Sequence, residues 1–357
     1  MKHAYLFFLL LCIQPVSAQD YHFSDPTRAL TLFNPAYTGL IPEGGKYRLQ
    51  TIVRDQWGSV LEEARYRTFA TSFDTKFCGQ NAGDYFALGA NVTADWQGDP
   101  ALRRTDVYLT GAFVKNIGGS PTAPNLLGGG VEVGRVQYAQ DGLRGRTFDD
   151  QFDNPGLPGE FLSQSMADAF DVGLGGFFTA DGNESGLHDI SVGASLKHLT
   201  RPALGFFGNT QDGMVSSDST ARLNRRLNAN VGFSFFNNRQ RSVSVFAAYS
   251  NQQPHSQLLV RVMYNVLGSR ELLGRRGRQR ARTLAGGVAI RVNDGAGGPG
   301  GDALIGIVQL HQQRFILGLS YDLNISNLRQ SSSGQGAIEL AGSFFFGGAG
   351  CVICPSF

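Results

Sequence analysis

Apolar and polar residues alternate with a period of two along nearly the whole chain. The pattern is cleanest near the C-terminus. From Arg314 to Ile325, Phe315, Leu317, Leu319, Tyr321, Leu323 and Ile325 fall on one side. Arg314, Gly318, Ser320, Asp322 and Asn324 fall on the other, and only Ile316 breaks the order. A polar stretch from Asn327 to Gly334 separates this strand from a second, Gly336 to Phe346, after which the chain runs through Cys351 and Cys354 to Phe357. Successive side chains of a β-strand point to opposite faces, so such alternation predicts strands with one apolar face and one polar face.

The same pattern recurs upstream. Tyr47, Leu49, Thr51, Val53 and Trp57 alternate with Lys46, Arg48, Gln50, Arg54 and Gln56, with Ile52 out of place. Phe69, Thr71, Phe73 and Phe77 alternate with Ser72, Asp74 and Lys76, and a third strand runs through Phe86, Leu88, Ala90, Val92 and Trp96. Weaker repeats centre near Leu109, Val133, Leu174, Val192, Val231, Val245, Val260, Val288, Ile305, Leu319 and Leu340, which brings the total to fourteen. Apolar strands ending in aromatic residues match lipid-facing bands with interfacial girdles, and an even count places both chain ends in the periplasm. The long polar connections, Gln140 to Ala167 and Arg201 to Ala221, follow the fifth and seventh strands and so fall outside.

Composition agrees with a transmembrane antiparallel β-barrel. Charged residues are only 17%, yet glycine (47) and phenylalanine (26) are abundant. A soluble sandwich would also alternate, but Lys, Arg, Gln, Asp and Asn recur on the second face strand after strand, which suits a watery lumen. Residues 1–18 read as a signal peptide: Lys2 and His3, an apolar run from Leu6 to Ile13, and a small-residue cleavage site at Val16-Ser17-Ala18. Cys12 falls within it. Residues 19–44 show no sustained alternation and form an ordered N-terminal segment able to occupy the lumen. The barrel spans 45–348 and a periplasmic tail 349–357. The formal net charge of +2 argues against nucleic-acid binding.

No catalytic constellation is legible. His22, His188, His198, His255 and His311 are scattered without paired metal-ligand spacing, and no cofactor site or enzyme activity is expected. The run Gly128-Gly129-Gly130 is not followed by a helix; it reads as strand glycine that admits neighbouring rings. The strand count brings Cys78 and the tail to one side of the membrane, which predicts a disulfide from Cys78 to Cys351 or Cys354. The basic run Arg275, Arg276, Arg278, Arg280 and Arg282 falls on the periplasmic side. It reads as a solvated turn or as a dock for an acidic lipoprotein or anionic peptidoglycan.

Several motifs resemble one family. Asn34-Pro35-Ala36-Tyr37-Thr38-Gly39, Arg54-Asp55-Gln56-Trp57, the His198-Leu199 to Pro202 stretch, and Ser320-Tyr321-Asp322-Leu323-Asn324-Ile325-Ser326 occur in the order found in PorP/SprF outer-membrane proteins of the type IX secretion system. Gly336 to Leu340 and the Cys354-Pro355-Ser356-Phe357 ending fit as well. The resemblance implies an outer-membrane secretion accessory, in some members linked to gliding motility. It would bind the C-terminal sorting domain of a large secreted adhesin or enzyme and help secrete or anchor it. It marks Asn34, Pro35, Tyr37, Arg54, Trp57, His198, Tyr321, Asp322 and Asn324 as motif residues of structural weight. Phe148, Phe152 and Phe161 in the first long loop are the candidate cargo anchors, because interface energy concentrates in buried aromatics. The other reading is an outer-membrane transporter or channel for a small or hydrophobic solute.

Overall fold

The computed structural model describes residues 20–41, 45–58, 60–61, 65–79, 83–98, 102–120, 123–140, 166–180, 189–203, 208–211, 214–217, 222–238, 241–267, 283–295, 298–312 and 314–347. Sixteen strands occur among them. They are β1 Tyr47–Gln56, β2 Tyr66–Cys78, β3 Tyr85–Gln97, β4 Leu102–Ser120, β5 Ala123–Gln140, β6 Met166–Ala180, β7 Asp189–Lys197 and β8 Gly208–Gln211. Then come β9 Met214–Ser217, β10 Arg226–Asn238, β11 Arg241–Gln252, β12 His255–Leu267, β13 Thr283–Gly295, β14 Gly298–Gln312, β15 Phe315–Asn324 and β16 Gln335–Phe346. Fourteen of them close a barrel in chain order, β10 following β7 and β16 meeting β1. All fourteen expected strand centres lie in these fourteen strands. The hairpin β8–β9 sits apart, in the connection that the alternation left without strands.

The wall is antiparallel throughout, and its register shows the tilt. Following paired residues from Tyr47, at the start of β1, leads through Leu88, Val131, Leu196 and Ser256 to Pro299, at the start of β14. The rim where β1 begins is called here the near rim, and the rim where it ends the far rim. The paired row therefore climbs from the near rim to the far rim as the strands advance, as barrel closure requires of tilted strands.

The outward face is apolar and exposed. Leu49, Val53, Phe69, Phe73, Leu109, Val131, Leu174, Leu319, Tyr321 and Leu340 all lie on it. Near-rim aromatics pack together, with Tyr47 stacked on Phe346 at 5.4 Å between centroids. The inward face is polar, as the alternation predicts, and the N-terminal segment occupies the lumen it encloses. Its polar residues do not face a watery channel. Arg48, Arg54, Asp74, Arg104, Arg261, Asp322 and Glu339 are all buried, held by one another and by the N-terminal segment.

That segment threads the barrel. Asp20 lies at the far rim, on Arg104 near the start of β4 and Arg226 at the start of β10, whereas β16 ends at the near rim beside Tyr47; the described chain thus starts and finishes at opposite rims, not on one side as the even strand count predicts. The chain then descends through a 3-10 turn (Pro26–Arg28), one α-helical turn (Leu30–Phe33) and a second 3-10 turn (Pro35–Tyr37). At the near rim the Lys76 ammonium donates to the Ile41 carbonyl at 3.4 Å. Proline at the start of each 3-10 turn supplies the fixed φ, and Asp25 and Asn34 cap them through their side chains.

The two breaks in the alternation mark where this segment docks. Ile52 points inward and joins Phe23, Ala29 and Leu32 of the segment. Ile316 points inward and packs with Ile41 and Phe345. A lone apolar residue on a polar face is costly against water. Here each covers apolar segment side chains, and full burial of such a residue stabilises by about 1.5–3 kcal/mol.

Candidate functional site

The Asn34–Gly39 motif sits on a floor of glycines. Gly130 of β5 and Gly175 of β6 are directly paired, and Gly193 pairs with Phe177 one strand further. A Cβ on Gly130 would come within 2.6 Å of the Ala36 Cα; one on Gly175 would reach 2.0 Å from Asn34 Oδ1, and one on Gly193 2.3 Å from the Tyr37 hydroxyl. Only the absence of side chains lets the segment approach this closely. Asn34 Nδ2 donates to the Gly176 and Ala194 carbonyls at 3.0 and 3.1 Å, while its Oδ1 accepts from the Ala36 amide at 2.9 Å. The Tyr37 ring stacks on Phe177 at 5.1 Å, and its hydroxyl accepts from Asn230 Nδ2 at 2.8 Å. Gly39 takes a positive φ of 77° and donates its amide to Asp74 Oδ2 at 2.6 Å. Each letter of the motif thus has a structural task. The ring-admitting role expected of the glycine run appears at Gly128, where a Cβ would meet Phe177 at 2.2 Å.

Charged groups hold the rest of the segment. Arg54 and Arg291 converge on Asp322 at 3.0 and 2.9 Å, with Arg54 also donating to the Ser24 hydroxyl. Glu339 accepts from the Ser24 amide at 2.7 Å and the Asp25 amide at 3.1 Å. Asp25 pairs with Arg261 at 2.9 Å. Around Asp20 stand Arg104, Arg226 and His198. His198 Nε2 meets Asp20 Oδ2 at 2.8 Å and its Nδ1 meets Asp171 Oδ2 at 2.6 Å. A ring between two carboxylates is best served by two N–H donors, the imidazolium form. Burial disfavours that charge, but Asp20 and the Asp171 hydrogen bond outweigh it and raise the ring's pKa above the usual histidine range. Burial likewise opposes ionisation of Asp20, yet Arg104, His198 and Arg226 hold its carboxyl well below the usual range.

The other residues singled out in the sequence are spread through the wall. Trp57 follows β1 at a positive φ of 57° and meets Tyr66 edge-on at 5.5 Å. Tyr321 points outward, whereas Asn324 points inward and donates to the Ser332 hydroxyl at 3.1 Å. Cys78 is disulfide-bonded; Cys351 and Cys354 lie outside the described residues. So do Phe148, Phe152 and Phe161, and Arg275, Arg276, Arg278, Arg280 and Arg282. Among the described residues no group of three His, Cys, Asp or Glu could hold a metal. Thr179 Oγ1, Ser191 Oγ and Arg261 Nε lack hydrogen-bond partners and border a cavity of about 20 Å³, the scale of bound water.

This geometry gives the motifs their reason, and the sequence comparison gives them a family. The chain matches the family "Type IX secretion system membrane protein PorP/SprF" over residues 16–344. The chain belongs to the PorP/SprF family. It is accordingly an outer-membrane protein of type IX secretion. No curated protein matches the sequence. Among solved structures, the PorP/SprF chain is similar to the Pseudomonas putida toluene transporter TodX, at 10% identity and a TM-score of 0.49, covering 92% of this chain and 95% of that one. It is also similar to the Ralstonia pickettii toluene transporter TbuX, at 14% identity and a TM-score of 0.43, covering 90% and 94%. Asn34, Tyr37, Arg54, His198 and Asp322, drawn from four of the PorP/SprF motifs, all face the filled lumen. The sequence did not reveal the glycine floor; inward glycines on adjacent strands were the available signal.

Proposed function

We propose that this chain binds the C-terminal sorting domain of a large type IX cargo at the cell surface and helps secrete or anchor it. One observation carries the reading. The ends of β5 and β7 and the starts of β6 and β10 lie at the far rim, so the connections 141–165 and 198–225 both depart from it, above a lumen filled by the N-terminal segment. A rim with long loops over a packed barrel favours gripping a protein over conducting a solute. In this reading the far rim, opposite the end of β16, faces outside, and Phe148, Phe152 and Phe161 are the proposed anchors. A periplasmic lipoprotein or peptidoglycan would meet the basic run 275–282 at the near rim.

The test is affinity purification of the tagged chain from its native membrane, followed by mass spectrometry. A very large secreted protein with a sorting domain should co-purify, and replacing residues 145–162 with a short Gly-Ser linker should release it into the medium. Cargo that stays cell-bound and co-purifies unchanged after that replacement would remove the loop from the reading.

A further inference from the structure

The far rim carries arginines on its outward, lipid-side face. On β2, β3 and β4 the directly paired residues Arg67, Trp96 and Arg103 form one row, and the next residue in it is Ala139 of β5. All three face outward. Arg135, also outward, precedes Ala139 on β5 by four residues. With strands tilted about 35–45°, the row climbs about 3 Å per strand, while four residues descend about 10 Å. Arg135 therefore returns to about the level of Arg67. Arg225 stands exposed just ahead of β10 at the same rim. Below these cations the outward face turns apolar, at the next outward position with Phe69 on β2, Val133 on β5 and Leu227 on β10, and after Thr105 with Val107 on β4.

We infer that Arg67, Arg103, Arg135 and Arg225 form a belt that holds phosphate groups of outer-leaflet lipid, with Trp96 set at the interface between them. Three features support lipid over other anions. Arg67, Arg103 and Arg135 face away from the lumen, beside the apolar band, and Arg225 is exposed at the same rim. Arg103 and Arg225 make no hydrogen bond or ion pair within the described residues, so their charge is uncommitted. Arg67 and Arg135 have only partly exposed partners, Asp55 at 3.6 Å and Asp168 at 2.5 Å. Guanidinium forks suit bidentate phosphate recognition, and an indole prefers the headgroup level. The inference rests on the outer-membrane placement and not on cargo binding.

The experiment uses the full chain in nanodiscs containing phosphorylated outer-membrane glycolipid in a zwitterionic background, with retained glycolipid counted by native mass spectrometry. The double variant Arg103→Gln, Arg225→Gln comes first, because it leaves no acid unpaired. The quadruple variant adds Arg67→Gln and Arg135→Gln. A near-rim control carries Lys115→Gln with Arg314→Gln, and heat-dependent gel mobility confirms folding of each. The quadruple variant should retain about tenfold less glycolipid, with the double variant intermediate. Enzymatic dephosphorylation of the glycolipid should cause the same loss in the parent chain. The control should retain glycolipid fully, and millimolar inorganic phosphate should not displace it. Equal retention by the parent and double variant, equal loss in the control, or full displacement by free phosphate would overturn the belt.

Discussion

Arg54 and Asp322 meet at 3.0 Å inside the barrel although 268 positions separate them in the chain. They flank the seam. Arg54 belongs to β1 and Asp322 to β15, with Glu339 of β16 between their strands and also within 3.6 Å of Arg54. A buried ion pair contributes modest net stability, but removing one partner leaves an uncompensated charge and costs about 3–5 kcal/mol. Asp322→Leu alone takes one of two acidic partners from each of Arg54 and Arg291, leaving Glu339 to the first and Asp302 to the second. We expect it to lower stability by an amount at the lower end of that range, about 3 kcal/mol, in urea unfolding from micelles. The double variant Asp322→Leu, Arg54→Met should cost less than the sum of its singles by about 1 kcal/mol or more.

The glycine floor predicts a second outcome. Gly175→Val would push against Asn34, and Gly193→Val against Tyr37. Overpacking of this kind costs about 1–3 kcal/mol. Both clashes lie between the wall and the segment, so the loss should fall on docking. Amides of residues 24–39 should exchange with deuterium faster while those of β10–β14 stay protected. Gly286→Ala, where a Cβ meets nothing within 4 Å, serves as the neutral control.

The outward pattern was legible because lipid imposes the same demand on every strand. The inward pattern was harder to read. Its polar residues are compatible with a water-filled channel and with a packed lumen, because a polar side chain has the same letter whether it meets water or a buried partner. Ile52 and Ile316 were the visible clues. Each is an error on a water-facing wall and a contact on a plugged one. Residues 19–44 show no period because their described part, 20–41, is a string of short turns fitted to its surroundings. The clamp of His198 between Asp20 and Asp171 joins residues up to 178 positions apart, a distance over which no spacing rule operates.

The far-rim clamp should respond to pH. The raised His198 pKa contributes stability that is fully present below the unfolded histidine value, about 6.5, and is lost as pH rises through the higher folded value. Asp20, with its lowered pKa, contributes above the unfolded aspartate value of about 4 and loses its contribution only as pH falls through the still lower folded value. Protection of residues 20–25 in hydrogen exchange, corrected for the intrinsic pH effect, should hold between about pH 5 and 6.5 and decline in alkaline buffer. His198→Gln should abolish the decline. A decline of unchanged size in that variant would show that another group titrates.

For Cys78 the expected partner is one of the two tail cysteines. Non-reducing peptide mapping of periplasm-folded protein should find the Cys78 peptide linked to the peptide containing Cys351 and Cys354. Three free thiols would contradict it.

The position of Ser24 and Asp25 bears on how the molecule is assembled. Their amides are held by Glu339 on the last strand, and the Ser24 hydroxyl is held by Arg54 on the first. The earliest-made part of the described chain therefore bridges the two edges that must find each other last. A cylinder zipped shut without it would enclose Arg54, Asp322 and Glu339 beside an empty core, and the segment would then have to be drawn in lengthwise. Seating before or during closure avoids that route. The segment then serves as a gauge of completeness, since the seam acquires its full set of contacts only when the right strand arrives.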